Sequence, residues 1–292
     1  MIIPQANNDK IFLVDTSAMI ALSHHDMQSL LNKGVTLYGS PYSCWELLCH
    51  LDEPEKFNKQ KAELLKFQYI EILNNPQTTI ERSLSIVTDN IIADEELIKA
   101  CLGALQSSST LKEFYSSYIL DSEGNHREIS DVSNRVKSKL NELEIDYVNF
   151  ISKLVKHLKT IQDLNDSQTH PNLIYSLLAG EFEKLKQRQA SSPILIQEVA
   201  RNIWVYYGYI FYRAVHYVQG GGSIDNNDYE DSNICKHLKT DSPFQFVTGD
   251  KGTIESLNHL VSVTQNVDSS LFKLSLVTHD VSHLKQIAKQ NN

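Results

Sequence analysis

The amino-acid sequence predicts an α/β fold, a three-layer α/β/α sandwich with a mostly parallel central sheet, interrupted by an all-helical insertion. Residues 11–14 (Ile-Phe-Leu-Val) are apolar without alternation, as in a strand that is buried on both faces. A helical pattern and a second strand follow directly, which gives the β-α-β unit from which parallel sheets are built. Residues 76–218 then show helical patterns without a convincing strand, so they predict a helical insertion.

Each element follows from its local sequence pattern. The first α/β half is predicted to contain strands at 10–17, 35–39 and 69–73 and helices at 18–31, 40–51 and 54–66. Within the insertion, helices are predicted at 93–105, 110–119, 130–164, 172–189 and 194–218. After the glycine-rich joint at 220–222, a helix is predicted at 228–239 and strands at 244–248 and 271–278. We therefore divide the chain into a discontinuous domain, 1–75 and 219–292, and a helical insertion, 76–218.

Composition and charge exclude several classes of protein. The 292 residues are 41% hydrophobic and 22% charged, which is typical of a globular chain and not of a disordered or fibrous one. The sequence has no apolar run of the roughly 20 residues that cross a bilayer, and no signal-peptide pattern, so a cytoplasmic location is expected. A net charge of −9 argues against indiscriminate binding to polyanions. The four scattered cysteines predict reduced thiols.

Carboxylates end several of the predicted strands. Asp15, Asp250 and Asp280 each follow an apolar run, and the carboxyl ends of parallel strands line the ligand crevice of an open sheet. Asp231 lies on the apolar face of its predicted helix, which places it at the edge of the core. Several carboxylates with few Cys or His side chains among them suit a hard cation such as Mg²⁺ or Mn²⁺.

The order of these motifs resembles that of the PIN-domain nucleases. The matching segments are Phe12-Leu13-Val14-Asp15-Thr16-Ser17, Cys44-Trp45-Glu46-Leu47-Leu48, Tyr229-Glu230-Asp231-Ser232-Asn233-Ile234 and Val247-Thr248-Gly249-Asp250. They correspond to an acid after the first strand, a Glu on the second helix, an Asp opening a late helix and an Asp after the next strand. The resemblance covers about residues 10–75 and 225–290, and the long helical segment between them departs from it.

The resemblance implies a metal-dependent phosphodiesterase that acts on RNA, or less often on structured DNA. One or two Mg²⁺ or Mn²⁺ ions would be held by four acids, Asp15, Glu46, Asp231 and Asp250. Such ions lower the pKa of a bound water and neutralise charge on the scissile phosphate. The hydroxyls of Thr16, Ser17 and Thr248 would orient the carboxylates. Asp228 is either an auxiliary ligand or a favourable anion at a helix N-terminus.

Simpler interpretations of these acids stay open at the level of sequence. Asp15 could cap the helix that follows it, and Glu46 lies opposite leucines on a helical wheel, as a solvated Glu would. Asp250 and Asp280 share a Val-Thr-x-Asp pattern, and only the order of motifs in the family favours Asp250. Asp280 is then expected to be a helix cap, with membership of the site as the lesser alternative. Glu230 fits a capping box at the start of its own helix.

The predicted insertion contains the best candidates for contacts with nucleic acid. Five basic side chains there could bind backbone phosphates: Lys184, Lys186, Arg188, Arg201 and Arg213. The aromatic series at 204–212 could stack bases, although such density more often forms a core or a partner interface. A solvated helix face is the simpler interpretation of each basic segment.

The sequence therefore predicts a metal-dependent nuclease, with an endoribonuclease favoured over a DNase. It would act in RNA processing, or as a toxin or defence effector restrained by a protein partner, as in toxin–antitoxin pairs. The alternative is a catalytically inactive PIN-like scaffold that binds nucleic acid or a protein partner through the insertion. An inhibitory or targeting protein and self-association into a homo-oligomer are both compatible with the sequence, and no membrane association is expected.

Overall fold

The computed structural model describes residues 10–74, 91, 95–120, 124–188, 196–220, 222–224, 227–240, 243–265, 274 and 276–290. Its strands are β1 Ile11–Val14, β2 Thr36–Gly39, β3 Glu71–Ile72, β4 Tyr118–Leu120, β5 His126–Glu128, β6 Gln245–Thr248 and β7 Thr278–Asp280. Its α-helices are α1 Thr16–Ala21, α2 His24–Asn32, α3 Pro41–Cys49, α4 Phe57–Leu64, α5 Glu95–Ser107, α6 Leu111–Tyr115, α7 Ile129–Leu158, α8 His170–Arg188, α9 Ile196–Val218, α10 Asn227–Cys235, α11 Lys251–Gln265 and α12 Val281–Lys289. Short 3₁₀ turns flank α4 at Pro54–Lys56 and Leu65–Tyr69.

The predicted α/β class with a parallel sheet is confirmed. Five strands form one sheet in the order β3-β2-β1-β6-β7, and every neighbouring pair is parallel. In the register of the central strand, Leu13 lies opposite Tyr38 of β2 and Phe246 of β6. The chain adds β2 and β3 on one side of β1 and then β6 and β7 on the other. The order of the strands therefore reverses between β1 and β6.

Both faces of the sheet are covered, as the absence of alternation in β1 predicts. Ile11 and Leu13 belong to one hydrophobic core, whereas Phe12 and Val14 belong to a second core on the opposite face. Because successive side chains of a strand point to opposite faces, a four-residue strand buried throughout requires packing on both sides. This arrangement is compatible with a three-layer sandwich.

The segment 76–218 contributes to both cores. The long helix α7 places Val132 and Val136 in the core that contains Phe12, and Ile151 and Leu154 in the core that contains Leu13. Helices α8 and α9 complete the second of these cores. The segment is therefore continuous with the packing of the sheet.

Helix α9 packs closely against α11. Gly208 lies at the crossing, where an added Cβ would overlap the side chain of Leu260. Elsewhere in the same helix pair, the guanidinium of Arg213 on α9 lies beside Gly252 in the first turn of α11. The crossing thus positions part of the site described below.

The prediction that the insertion is all-helical was wrong. β4 and β5 form an antiparallel ribbon, in which Ile119 is buried between the exposed side chains of Tyr118 and Leu120. This alternation of exposed and buried side chains is typical of a strand that packs on one face only. Gly124, with a φ of 82°, lies in the connection, and such a backbone conformation strongly favours glycine. The predicted helix at 110–119 accordingly ends at Tyr115.

Other boundaries differ from the predictions in smaller ways. The predicted helix at 18–31 is divided into α1 and α2 at Ser23, which forms a capping box with Asp26. The predicted strand at 271–278 falls partly outside the described residues, and β7 begins at Thr278. All four cysteines are buried, and none of them forms a disulfide. Among the described residues, none of the helices is both long enough and apolar enough to cross a membrane.

Candidate functional site

The topology brings two acidic segments to the same edge of the sheet. Asp15 directly follows β1, and Asp250 lies two residues after the end of β6, the strand that pairs with β1. The backbone N–H of Asp15 also donates to the carbonyl of Val247. In open parallel sheets, ligands bind beyond the carboxyl ends of the strands where the strand order reverses. The space beyond β1 and β6 is that place in this protein.

Asp15 is buried and fully engaged in hydrogen bonds. Its side chain is only 2% exposed. Oδ1 accepts from the backbone N–H of Ala18 at 2.6 Å, and Oδ2 accepts from the hydroxyl of Thr248. The hydroxyl of Ser17 donates to the same carboxylate at 2.8 Å. Asp15 is therefore the N-cap of α1, as one of the sequence interpretations predicts, and is also joined to β6.

Burial controls the protonation of Asp15. Desolvation raises the pKa of its carboxyl from 3.8 to about 6, against the hydrogen bonds from Thr248, Ala18 and Ser17, which stabilise the charged form. The negative charge of Glu46 raises this pKa further. The carboxylate thus has several neutral donors, but the described residues include no Lys or Arg that forms an ion pair with it.

Thr253 joins Asp250 to Asp231. Its backbone N–H donates to Oδ1 of Asp250 at 2.5 Å, and its hydroxyl donates to Oδ2 of Asp231 at 2.8 Å. The backbone N–H of Asp250 in turn donates to the hydroxyl of Thr248 at 2.9 Å. The hydrogen bonds therefore run without a break from Asp15 through Thr248, Asp250 and Thr253 to Asp231.

The charges of these acids act on one another. Desolvation and then the charge of Asp15 raise the pKa of Asp231 from 3.8 to about 7, and Asp250 and Asp228 add to this effect. The hydroxyl of Thr253 acts in the opposite direction. Mutual repulsion of this kind arises only between carboxylates that lie near one another in a poorly solvated place.

Glu46 enters the same cluster through Thr16. The hydroxyl of Thr16, at the start of α1, donates to Oε2 of Glu46 on α3 at 2.6 Å. Burial raises the pKa of Glu46, and hydrogen bonds from Thr16 and Glu230 oppose the shift. The four acids named from the sequence are thus brought together, and Thr16, Ser17 and Thr248 donate hydrogen bonds to them.

Glu230 and Thr253 are members of the cluster that sequence analysis missed. Burial and the neighbouring charge of Glu46 raise the pKa of Glu230 from 4.5 to about 8, and the two carboxyl groups are hydrogen-bonded to each other. A contact between α3 and α10 leaves no signal in the local sequence, where Glu230 fits a helix cap. Thr253 could have been found, because it lies three residues after Asp250, where a capping carboxylate receives a backbone hydrogen bond.

Asp228 lies in the first turn of α10, as one of the two sequence interpretations expects, and it has a further role that neither considered. It is 3% exposed and accepts from Nη2 of Arg213 at 2.6 Å and from the hydroxyl of Tyr217. These contacts join the first turn of α10 to α9. Because Arg213 is held in this buried ion pair, its guanidinium is not on an open surface for phosphates.

Asp280 stands apart from this network. It is exposed, and its carboxylate caps α12 by accepting from the backbone N–H of Ser282 at 2.8 Å. The capping hydrogen bonds lower the pKa of Asp280, in contrast to the raised pKa of Asp15 and of Asp231. The role of helix cap expected for Asp280 is confirmed.

The other basic candidates are placed differently from Arg213. Lys184 is 68% exposed at its side chain and pairs with Glu181 at 3.2 Å, and Arg201 is exposed. The side chains of Lys186 and Arg188 lie outside the described residues, although both positions fall within α8. Most of the aromatic series at 204–212 is buried in the core between the sheet and α7, α8 and α9.

The donor chemistry of the cluster fits a hard divalent cation better than a soft one. Its side chains offer carboxylate and hydroxyl oxygens, which Mg²⁺ and Mn²⁺ prefer. In the described parts of the chain, however, no group of three or more His, Cys, Asp or Glu side chains stands in an arrangement that could hold a metal ion. The oxygens of Asp15, Asp231 and Asp250 are turned instead toward hydroxyl and backbone donors. Some of these side chains would have to rotate to share one ion.

Comparison with protein-family models, with curated proteins and with solved structures finds no match to this chain.

Proposed function

We propose that this protein is a PIN-like, divalent-metal-dependent nuclease that hydrolyses phosphodiester bonds, with RNA as the favoured substrate. One observation carries the proposal. Four acids from separate segments of the chain, Asp15, Glu46, Asp231 and Asp250, are connected through the hydrogen bonds of Thr16, Thr248 and Thr253, beside the point where the strand order of a parallel sheet reverses. The order of the sequence motifs supports the same conclusion.

The electrostatics of the cluster support a cationic ligand. Buried carboxylates are costly unless a positive charge or hydrogen bonds compensate them. Arg213 lies nearby but pairs with Asp228, and among the described residues none of the four acids has an ion pair. The repulsion among these carboxylates does not stabilise the fold. Perturbed acids gathered in a crevice are typical of functional sites.

In the proposed site, Asp15, Glu46, Asp231 and Asp250 would hold one or two Mg²⁺ or Mn²⁺ ions. A bound ion would supply a water of lowered pKa and would neutralise charge on the scissile phosphate. Thr248 and Ser17 hold the carboxylate of Asp15, and Thr16 holds that of Glu46. Donors of this type restrict ligand orientation and commonly determine the affinity of a metal site.

Two biological roles fit such an enzyme, RNA processing and a toxin or defence activity that a protein partner restrains. The net charge of −9 opposes indiscriminate binding to nucleic acid, so either role would require local contacts with the substrate. A second candidate function is a non-catalytic scaffold of the same fold. It is favoured by the present orientation of the carboxylates, whose oxygens are engaged by the chain's own donors.

A cleavage assay tests the proposal and separates the two candidates. Purified protein is incubated with single-stranded RNA and with DNA, in Mg²⁺, in Mn²⁺ and in EDTA. We expect metal-dependent cleavage of RNA that is lost in Asp15→Asn and in Asp250→Asn. Asp280→Asn is the matched control, because it removes the same charge from a helix cap outside the cluster.

Two results would contradict the proposal. Full activity in Asp15→Asn or in Asp250→Asn would remove that residue from the site. If neither metal ion raised the melting temperature or supported cleavage, while the protein still bound RNA, the scaffold function would be correct.

A further inference from the structure

A cavity of about 520 Å³ lies among helices α7, α8 and α9, beside α10. Its lining is aromatic and basic, and the side chains that matter here are Tyr147, Phe150, Tyr206, Lys153, Lys184 and Lys236. The volume is within the range of pockets that bind small molecules, for which about 300–1,000 Å³ is usual. The cavity is therefore large enough for one nucleotide.

The charge of this lining differs from that of the whole chain. Lys153, Lys184 and Lys236 face the cavity together with two acids, Asp146 and Glu181, whereas the protein carries a net charge of −9. Glu181 is already satisfied, because it accepts from the hydroxyl of Tyr207 at 3.1 Å and pairs with Lys184. The cavity is thus a locally basic part of an acidic protein.

The aromatic rings beside these lysines can act as stacking surfaces. The ammonium of Lys236 lies 4.8 Å from the centre of the Tyr206 ring. Phe150 and Tyr207 meet edge to face, with ring centres 6.3 Å apart. Aromatic faces next to cationic side chains are the combination that single-stranded nucleic-acid binders use for a base and its phosphate.

The hydroxyl of Tyr147 is an independent indication of a ligand. Tyr147 is 5% exposed, and within the described part of the chain its hydroxyl has no hydrogen-bond partner. A buried polar group without a partner costs stability, so it calls for a specific explanation. Tyr147 also lines the cavity, so a bound molecule that reached this hydroxyl would satisfy it.

The cavity lies next to a second cavity that two acids of the cluster line. Tyr229 lines it, and also lines a neighbouring cavity of about 430 Å³ whose wall includes Glu46 and Glu230. Tyr229 therefore separates the aromatic cavity from the cavity beside Glu46 and Glu230, so a bound nucleotide would lie next to the acid cluster.

We infer that this cavity binds one nucleotide of the substrate strand, with the base against the tyrosine rings and the phosphate near the lysines. The inference rests on the proposed nuclease function for the identity of the ligand. It adds a binding site that contains none of the four acids.

The test measures binding without cleavage. The full chain is titrated by calorimetry with nucleoside 5′-monophosphates in EDTA, and with ribose 5-phosphate as the ligand that lacks a base. We expect saturable binding of the nucleotides and at least tenfold weaker binding of ribose 5-phosphate. Short single-stranded RNA should displace the nucleotide.

Three variants locate the binding. Lys153→Glu, an exposed change on α7, should weaken nucleotide binding at least fivefold. Lys159→Glu makes the same charge change at an exposed residue that does not line the cavity, so it should bind as the original protein does. Tyr147→Phe should weaken binding severalfold without lowering the melting temperature, because it removes a hydroxyl that has no partner in the free protein.

Several outcomes would overturn the inference. Equal binding of ribose 5-phosphate would exclude stacking, and equal effects of Lys153→Glu and Lys159→Glu would show an unspecific response to charge. Unchanged binding in Tyr147→Phe and Lys153→Glu would place the ligand elsewhere. Because no metal ion is present, failure here is distinguishable from failure of the nuclease assay. A protein that binds nucleotides in this way but cleaves nothing would contradict only the proposed function.

Discussion

The carboxyl groups of Glu46 and Glu230 are hydrogen-bonded to each other, although they lie on helices from distant parts of the sequence. Two carboxyl groups can form such a bond only when one of them carries a proton. Burial and the neighbouring charge of Glu46 raise the pKa of Glu230, so the pair keeps this proton to a higher pH than an isolated Glu would. Loss of this proton at high pH is the basis of the first prediction.

Glu230→Gln should stabilise the metal-free protein as the pH rises. The Gln amide can donate to Glu46 without a bound proton, so the contact survives above pH 8, where the original pair is forced to ionise. We expect a melting temperature a few degrees higher than that of the original protein at pH 8.5, and a much smaller difference at pH 5. Glu183→Gln, at an exposed position of α8, is the control. It should change the melting temperature by the same small amount at both pH values.

The stability of the metal-free protein should depend on the ionisation of Asp15 and Asp231. Their pKa values are raised in the fold, to about 6 and about 7, above the 3.8 of the unfolded chain. Each group thus binds its proton more tightly when folded, so its stabilising contribution is complete below pH 3.8 and is lost as the pH rises through 6 to 7. In EDTA, the melting temperatures of the original protein and of Asp15→Asn should therefore diverge as the pH rises over this range. The variant should become the more stable of the two. Equal melting temperatures of the two proteins at high pH would contradict the raised pKa of Asp15.

Binding of Mg²⁺ or Mn²⁺ should release protons near neutral pH. Carboxylates must be ionised to ligate a metal, and Asp231 and Glu230 retain protons in the metal-free protein. Calorimetric titrations at pH 6.5 in two buffers of different ionisation enthalpy should therefore give different apparent enthalpies, equivalent to about one proton per ion. Identical enthalpies would show that the metal binds without displacing protons from this cluster.

Thr253→Val should weaken metal binding by roughly ten- to a hundredfold, the usual effect of removing a partner that orients a ligand. Valine keeps the branched shape of the side chain and the backbone hydrogen bond to Asp250, but it loses the hydroxyl that holds Asp231. Thr253→Ser retains the hydroxyl, so its affinity should stay close to that of the original protein. Equal affinity in the Val and Ser variants, measured by calorimetry, would exclude this function of the hydroxyl.

Arg213→Ala should cost about 3–5 kcal/mol of stability, because it leaves Asp228 buried without its cation. Adding Asp228→Asn to this variant should recover part of the loss, since the uncompensated charge is then removed. Denaturant unfolding of the two single variants and the double variant measures the coupling. Additive effects would mean that the ion pair contributes nothing specific.

The fold was predictable where local pattern and tertiary packing agree. The unbroken apolar run of β1 predicts burial on both faces, and Phe12 and Leu13 do enter different cores. Pattern alone failed at 110–119, because the first turn of α6 is helical while Tyr118-Ile119-Leu120 alternates as a strand does. The segment is too short for one periodicity to dominate.

The candidate site was predictable to the extent that motifs mark the ends of strands. Asp15 and Asp250 could be inferred from the ends of β1 and β6, whereas Glu46 depended on family resemblance because its helix gave no signal. Glu230 could not be found, since its partner lies on a helix distant in sequence. Arg213 has a basic side chain in a basic segment, and only the three-dimensional structure shows that it is held by Asp228.

The long helix α7 couples the two sides of the sheet. At 30 residues it extends about 45 Å. Val136 lies in one core and Ile151 in the other, while Leu143 between them contacts both. Because α7 packs in both cores, loss of packing on one face of the sheet would also disturb the other face. The molecule should therefore melt in one cooperative step. Excising 76–218 would not release a self-sufficient α/β unit, because the sheet would lose apolar cover on both of its sides at once.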